Sequence, residues 1–221
     1  NKLKIRFSFK VRPELKKYTE FLQQNYSSIS GQRKELLIQI ADAITIALKK
    51  NQLLNLMYVC THNSRRSQFG QVWAHYAAHY LGIKNIHFFS GGTEITAFHQ
   101  YAIDTLLRAG HEITEIKKKE NPAVTFNFGE NIPELKCFSK RFDNAENPSE
   151  LIFALMTCGE AEHNCPLIPG ALARFSINYE DPKKFDGTEL QDSKYDERCL
   201  QIATESFFLF SNVKQRIFIY E

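Results

Sequence analysis

Cys60, Arg66 and Ser67 stand in the stretch MYVCTHNSRRSQFGQVWAHYA, where a thiol ends an apolar run and an arginine follows six positions on, just before a helical pattern opens. If LLNLMYV is a buried strand, Cys60 lies at its carboxyl edge, and Thr61, His62, Asn63, Ser64, Arg65 and Arg66 must curl back before the helix opening at Ser67. Consecutive backbone N–H groups in such a curl, with a helix N-terminus behind them, form a nest for an oxyanion. The same positive field lowers a cysteine pKa, typically to about 3.5–7.5 for activated thiols. Cys60 is therefore expected to be a thiolate at neutral pH. The planar guanidinium of Arg66 can hold two oxygens of a tetrahedral anion and neutralise charge that builds during attack. Asn63 is placed to brace the loop through its amide and Ser67 to donate to the sulfur. A buried cysteine beside a surface arginine is the alternative. The preceding apolar strand, the following serine and the helix favour chemistry.

A second pair of thiols, Cys158 and Cys165 in MTCGEAEHNCP, follows the apolar run LIFALMT and so belongs to the same rim as Cys60. Six residues separate them, more than structural zinc pairs use, and no second pair stands nearby. No metal site is read there, even with His163 between them. Two inert packing thiols are the alternative, although Glu160, Glu162, His163 and Asn164 make a polar setting for burial. Asp181, followed by Pro182, sits past the run RFSINYE; Asp-Pro by itself is a turn initiator. His75 and His79 have the i, i+4 spacing of a metal pair, but Tyr76 replaces the glutamate of the metalloprotease pattern, so they read as a solvated helix face. GGTE lacks the lysine of a nucleotide-binding loop, and no Gly-x-Ser-x-Gly elbow occurs. No cofactor is implied.

The elements that must position these residues alternate from Leu53 onward. LLNLMYV, NIHFFS, LIFALMT and RFSINY read as strands. Helices are read from Ser67, through YAIDTLLRAG, and from about Tyr195 to the end. Apolar strand runs separated by helices argue for a parallel sheet covered on both faces, and ligands of such sheets bind at the carboxyl ends of the strands. Residues 1–52 form a separate, mainly helical extension: KIRFSFKV alternates like a strand, then two helical segments follow. In the second, Leu37, Ile40, Ala41, Ile44, Ala47 and Leu48 make one apolar face that must pack on something. The catalytic region is 53–221, interrupted at about 116–150 by a hairpin-like insertion.

The chain has 221 residues, 43% of them hydrophobic and 24% charged, with a net charge of +3. No strip of Lys and Arg implies a nucleic-acid partner, and no run approaches the roughly 20 apolar residues a membrane span needs. NKLKIRFSFK lacks the apolar core of a signal peptide, and the chain opens on asparagine rather than methionine, as a trimmed chain would. Five scattered cysteines fit reduced thiols in the cytoplasm better than a disulfide scaffold.

VCTHNSRRS resembles the active-site loop of the low-molecular-weight protein tyrosine phosphatase superfamily, which includes thioredoxin-coupled arsenate reductases. FSGGTE and YEDP, in that order, resemble two further segments of the family. The resemblance implies a four-stranded parallel sheet flanked by helices, with the N-terminal extension and the insertion added to it. It implies that Cys60 is the nucleophile, that Arg66 and the loop bind arsenate, phosphate or a phosphomonoester, and that Asp181 is the proton donor. The Cys-six residues-Cys-Pro pattern resembles the reductase branch, in which Cys158 attacks Cys60 and Cys165 then attacks Cys158, leaving a redox-active disulfide for thioredoxin. His62 stands where many members have glycine, Arg65 replaces a second loop cysteine, and Gly159-Glu160 replaces a Ser-Asp pair. Lys183 and Lys184 stand where the phosphatases often carry tyrosines and suit a small anion better than an aryl ester, with Phe185 as a partial wall. Arsenate reduction leads. A phosphomonoesterase using Cys60, Arg66 and Asp181, and a non-catalytic oxyanion- or thiol-sensing module, are the alternatives.

Overall fold

A computed structural model of the chain describes residues 13–50, 52–117, 119–164 and 167–218. Strand β1 (Leu54–Cys60) is buried at every residue, as a central strand covered on both faces must be. It lies between β2 (Ile86–Gly92) and β6 (Ile152–Met156), with β7 (Ala171–Ser176) beyond, in a four-stranded sheet of order β2-β1-β6-β7. All three pairings are parallel, and the register sets Cys60 opposite Gly92. The strand read as NIHFFS thus runs on through both glycines of FSGGTE.

Helix α3 (Arg66–Tyr80) crosses from β1 to β2 and is buried from Arg66 to Ala78. It approaches the sheet closely because Gly70 has no side chain: a Cβ there would lie 2.2 Å from the Tyr58 ring. Helix α4 (Gln100–Arg108) follows β2, and the closing helix α6 (Gln191–Phe218) starts earlier than its apolar pattern indicates. Helices α1 (Pro13–Gln24) and α2 (Gly31–Lys49) pack into the same core as β1, α3 and α6, with the anticipated α2 stripe from Leu37 to Leu48 buried. Ser30 caps α2, its hydroxyl accepting the Arg33 N–H at 3.3 Å. The KIRFSFKV segment lies outside the described residues.

The insertion holds more than a hairpin. Strands β3 (Glu112–Lys117), β4 (Ala123–Asn127) and β5 (Leu135–Cys137) form a three-stranded antiparallel sheet. Val124, Phe126 and Phe128 pack from it onto the core, where Phe128 stacks on Tyr76 at 5.8 Å. That layer overturns the solvated-face reading of His75: the ring is buried, and its Nε2 lies 2.8 Å from the Pro133 carbonyl oxygen. The periodicity of α3 could not show this, because what covers its outer face comes from residues about sixty positions away. The segment after β6, read as a polar loop, is a short helix, α5 (Gly159–Asn164).

Burial pushes His75 and His111 down from 6.5 to about 3, and neither ring nitrogen of His111 has a partner among the described residues. The unfolded chain therefore takes up protons near pH 6.5 that the folded one refuses. Stability is full above that pH and is lost as the pH falls toward 3, at roughly 1.4 kcal/mol per pH unit for each such histidine. The melting temperature is expected to drop between pH 7 and pH 5, and H111F, which fits the aromatic surroundings, to flatten that dependence by about half when followed by calorimetry.

Candidate active site

The loop between β1 and α3 is held from outside by its carbonyls. Cys60 O accepts the Thr93 N–H at 3.3 Å, Thr61 O the Glu94 N–H at 2.9 Å, Ser64 O the His99 N–H at 3.1 Å and Arg65 O the Phe69 N–H at 2.9 Å. His62 O accepts from the hydroxyls of Ser139 at 2.9 Å and Thr96 at 3.2 Å, and Asn63 O from Gln68 Nε2 at 2.9 Å. The N–H groups of His62 through Arg66 donate to no protein acceptor among the described residues. A chain whose carbonyls all face away presents its amides together on the opposite edge, the arrangement that binds anions.

Asn63 sets the curl. Its φ of 47° is left-handed, a region asparagine tolerates better than most residues. Its Oδ1 accepts the Lys140 N–H at 2.9 Å, and its Nδ2 donates to Ser67 Oγ at 2.9 Å. The Ser67 hydroxyl also shares a hydrogen bond with Cys60 Sγ, 3.0 Å away. The other loop side chains turn elsewhere: Ser64 Oγ donates to Ala97 O at 2.6 Å, and Arg65 is buried against Tyr195 at 2.6 Å and Asp186 at 3.2 Å. His62 sits at the rim, its Nδ1 3.2 Å from Glu94. What Arg65 offers an anion is its backbone N–H, not its guanidinium.

Arg66 is pinned across the loop to the segment after β7. Its Nη1 donates to Tyr179 O at 3.1 Å and its Nη2 to Asp181 Oδ2 at 2.6 Å, while Nε is buried with no partner among the described residues. Asp181 Oδ1 accepts the Lys183 N–H at 3.0 Å, capping a 3₁₀ turn at Pro182–Phe185. The Asp-Pro turn and the carboxylate beside Arg66 are thus one feature. Lys184 pairs with Glu180 and lies 5.1 Å over the Phe185 ring.

Cys158 is buried where β6 ends although its neighbours in the chain are polar, with Ala161 of α5 in the same cluster. Its Sγ lies 3.4 Å from Thr61 Oγ1, on the residue after Cys60, and accepts the Ala161 N–H at 3.4 Å. Thr61 also donates to Glu160 at 3.1 Å. Cys60 and Cys158 share one small buried cluster with Met57, Val59 and Met156. Cys165 lies outside the described residues. Burial pushes Cys137 and Cys199 up to about 12, the behaviour of packing thiols.

Sequence reasoning missed Ser139 and Lys140, which brace the loop from the insertion, and Thr61 as the residue against Cys158. No local signal marks them, since each acts through a contact distant in the chain. Gly92 was quoted only as part of FSGGTE.

No family model matches the chain. The arsenate reductase of Bacillus licheniformis is 27% identical over 136 residues, which cover 61% of this chain and 78% of that one. Arsenate reductase 2 of Staphylococcus haemolyticus is 27% identical over 152 residues, 69% of this chain and 94% of that one. A solved low-molecular-weight phosphotyrosine phosphatase from Vibrio cholerae superposes with a TM-score of 0.49 at 15% identity, over 72% of this chain and 95% of that one. These likenesses support the expected resemblance to the low-molecular-weight protein tyrosine phosphatase superfamily. Both curated relatives are named as arsenate reductases.

A Cβ on Gly92 would lie 2.5 Å from Glu94 O, 2.7 Å from Thr61 O and 2.9 Å from Asn63 N, all backbone atoms that cannot step aside. G92A is therefore expected to cost about 1–3 kcal/mol in urea unfolding and to weaken inorganic phosphate binding, measured by calorimetry, more than an alanine at the uncrowded Gly31 does.

Proposed function

We propose that this enzyme reduces arsenate to arsenite through a covalent Cys60 intermediate, with Cys158 and Cys165 as a disulfide relay recharged by thioredoxin. The observation that carries the reading is the placement of Cys158 Sγ against Thr61, so that a second thiol borders the oxyanion loop. The names of the curated relatives, both arsenate reductases, support it. The loop amides and Arg66 hold the arsenate oxygens while Cys60 sulfur bonds to arsenic and a water leaves. Cys158 thiolate then attacks Cys60 sulfur. The S–As bond breaks with its electron pair going to arsenic, which departs as arsenite, and a Cys60–Cys158 disulfide remains. Cys165 attacks Cys158, freeing Cys60, and thioredoxin reduces the Cys158–Cys165 disulfide by the same exchange. Cys60, Cys137, Cys158 and Cys199 are all free, which supports a cytoplasmic setting for this cycle. No helix among the described residues is long and apolar enough to cross a membrane.

A second activity is favoured by the carboxylate of Asp181, 2.6 Å from Arg66. The oxygen that leaves arsenate as water and the alkoxide that leaves a phosphomonoester both need a proton. Asp181 is placed for that proton, so Cys60, Arg66 and Asp181 would also cleave aryl phosphates. Lys183 and Lys184 suit small anions, so this activity would be the weaker.

Three variants separate the two activities. C158S is expected to abolish NADPH consumption coupled through thioredoxin and its reductase to arsenate, while leaving p-nitrophenyl phosphate hydrolysis within about twofold. C60S should remove both, by about 10³-fold or more. D181N should lower aryl phosphate hydrolysis by about 10²-fold. A wild-type enzyme that hydrolyses aryl phosphate yet consumes no NADPH with arsenate would end the reductase reading.

A further inference from the structure

Arg33, on the second helix of the N-terminal extension, reaches the segment that carries Asp181. Its Nε donates to Glu205 Oε2 at 2.9 Å, and its Nη2 lies 3.4 Å from Ile177 O and 3.3 Å from Asn178 O. The guanidinium stacks over the Tyr179 ring at 4.6 Å. Tyr179 in turn donates its hydroxyl to the same Glu205 oxygen at 2.8 Å, and Gln201 holds the other oxygen at 3.0 Å. Glu205 is buried on α6. Three consecutive residues between β7 and Asp181 are thus gripped by one arginine, and Tyr179 O is also the acceptor for Arg66 Nη1 at 3.1 Å. Arg33, Glu205, Tyr179, Arg66 and Asp181 form a continuous hydrogen-bonded chain from the extension to the oxyanion loop.

We propose that Arg33 is a positioning residue for the Asp181 segment, and that the extension contributes to the active site through it. Its catalytic meaning rests on the reading of Asp181 as proton donor; the positioning itself does not. A guanidinium can serve the carboxylate, two carbonyls and the ring face at once, which an ammonium on a flexible stem cannot. The same contacts could serve only to fasten α2 to α6, and the test must tell these roles apart.

The variants are R33M, R33K and, because R33M strands a buried carboxylate, R33M/E205Q. The first readout needs no activity: hydrogen exchange at the Ile177 and Tyr179 amides, which bond Met156 O at 2.8 Å and Thr157 O at 3.1 Å. Exchange there is expected to rise at least ~10-fold in R33M and R33M/E205Q while β1 amides change less than ~2-fold, with R33K intermediate. The second readout compares phenyl phosphate, whose poor leaving group needs a proton, with 2,4-dinitrophenyl phosphate, whose leaving group does not. The kcat should fall ~10-fold for the first and less than ~2-fold for the second, with KM held. Unchanged exchange at Ile177 and Tyr179 overturns the proposal whatever the activities are. Accelerated exchange with an equal fall for both esters reduces Arg33 to a structural fastening and overturns it as well. If the wild type turns over neither arsenate nor aryl phosphate, the proposed function fails, and the exchange measurement alone decides whether Arg33 positions the segment.

Discussion

Six successive carbonyls, from Cys60 to Arg65, are each committed to a donor outside the loop. Because a peptide unit carries its N–H opposite its C=O, that commitment leaves the amides of His62 through Arg66 without a protein acceptor among the described residues. A loop held any other way would satisfy its own amides and have no field to offer an anion. The position of Cys60 matters only within this arrangement, since its sulfur meets the Ser67 hydroxyl at 3.0 Å at the base of the same curl.

The donors that hold the loop come from every part of the molecule. Thr93 and Glu94 follow β2, where Gly92 lets the two backbones meet. Ser139 and Lys140 follow β5 of the insertion. The small antiparallel sheet therefore does two things: it covers α3, burying His75, and it delivers the donors that fix His62 and Asn63. The N-terminal helices act on the opposite side of the site, where Arg33 holds the approach to Asp181. Neither addition to the parallel sheet is merely peripheral.

Part of this was legible in the chain. The run LLNLMYV is apolar at nearly every position, as a strand buried on both faces requires, and Cys60 at its end with Arg66 and Ser67 beyond marked the loop. The α2 stripe was read in full, because a 3.6-residue period is a local property. Cys158 was placed at the correct edge of the sheet, but its polar neighbours did not show that α5 folds over it and takes the thiol inside. His75 was misread for the same reason, since periodicity shows which residues share a face and not what covers that face.

Order along the chain alone determined that a thiol, an arginine and a serine meet at a strand-to-helix turn, because those residues are neighbours and the turn is short. It also determined the alternation of strand and helix that makes the sheet parallel. Only the tertiary structure decided that Asp181 lies 2.6 Å from Arg66, that Cys158 borders Thr61, and that Arg33 reaches Tyr179. Those pairs are separated by some 100 residues or more; the parallel register of β1, β6 and β7 gathers the first two at one edge, and the packing of α2 against α6 brings Arg33 to Tyr179.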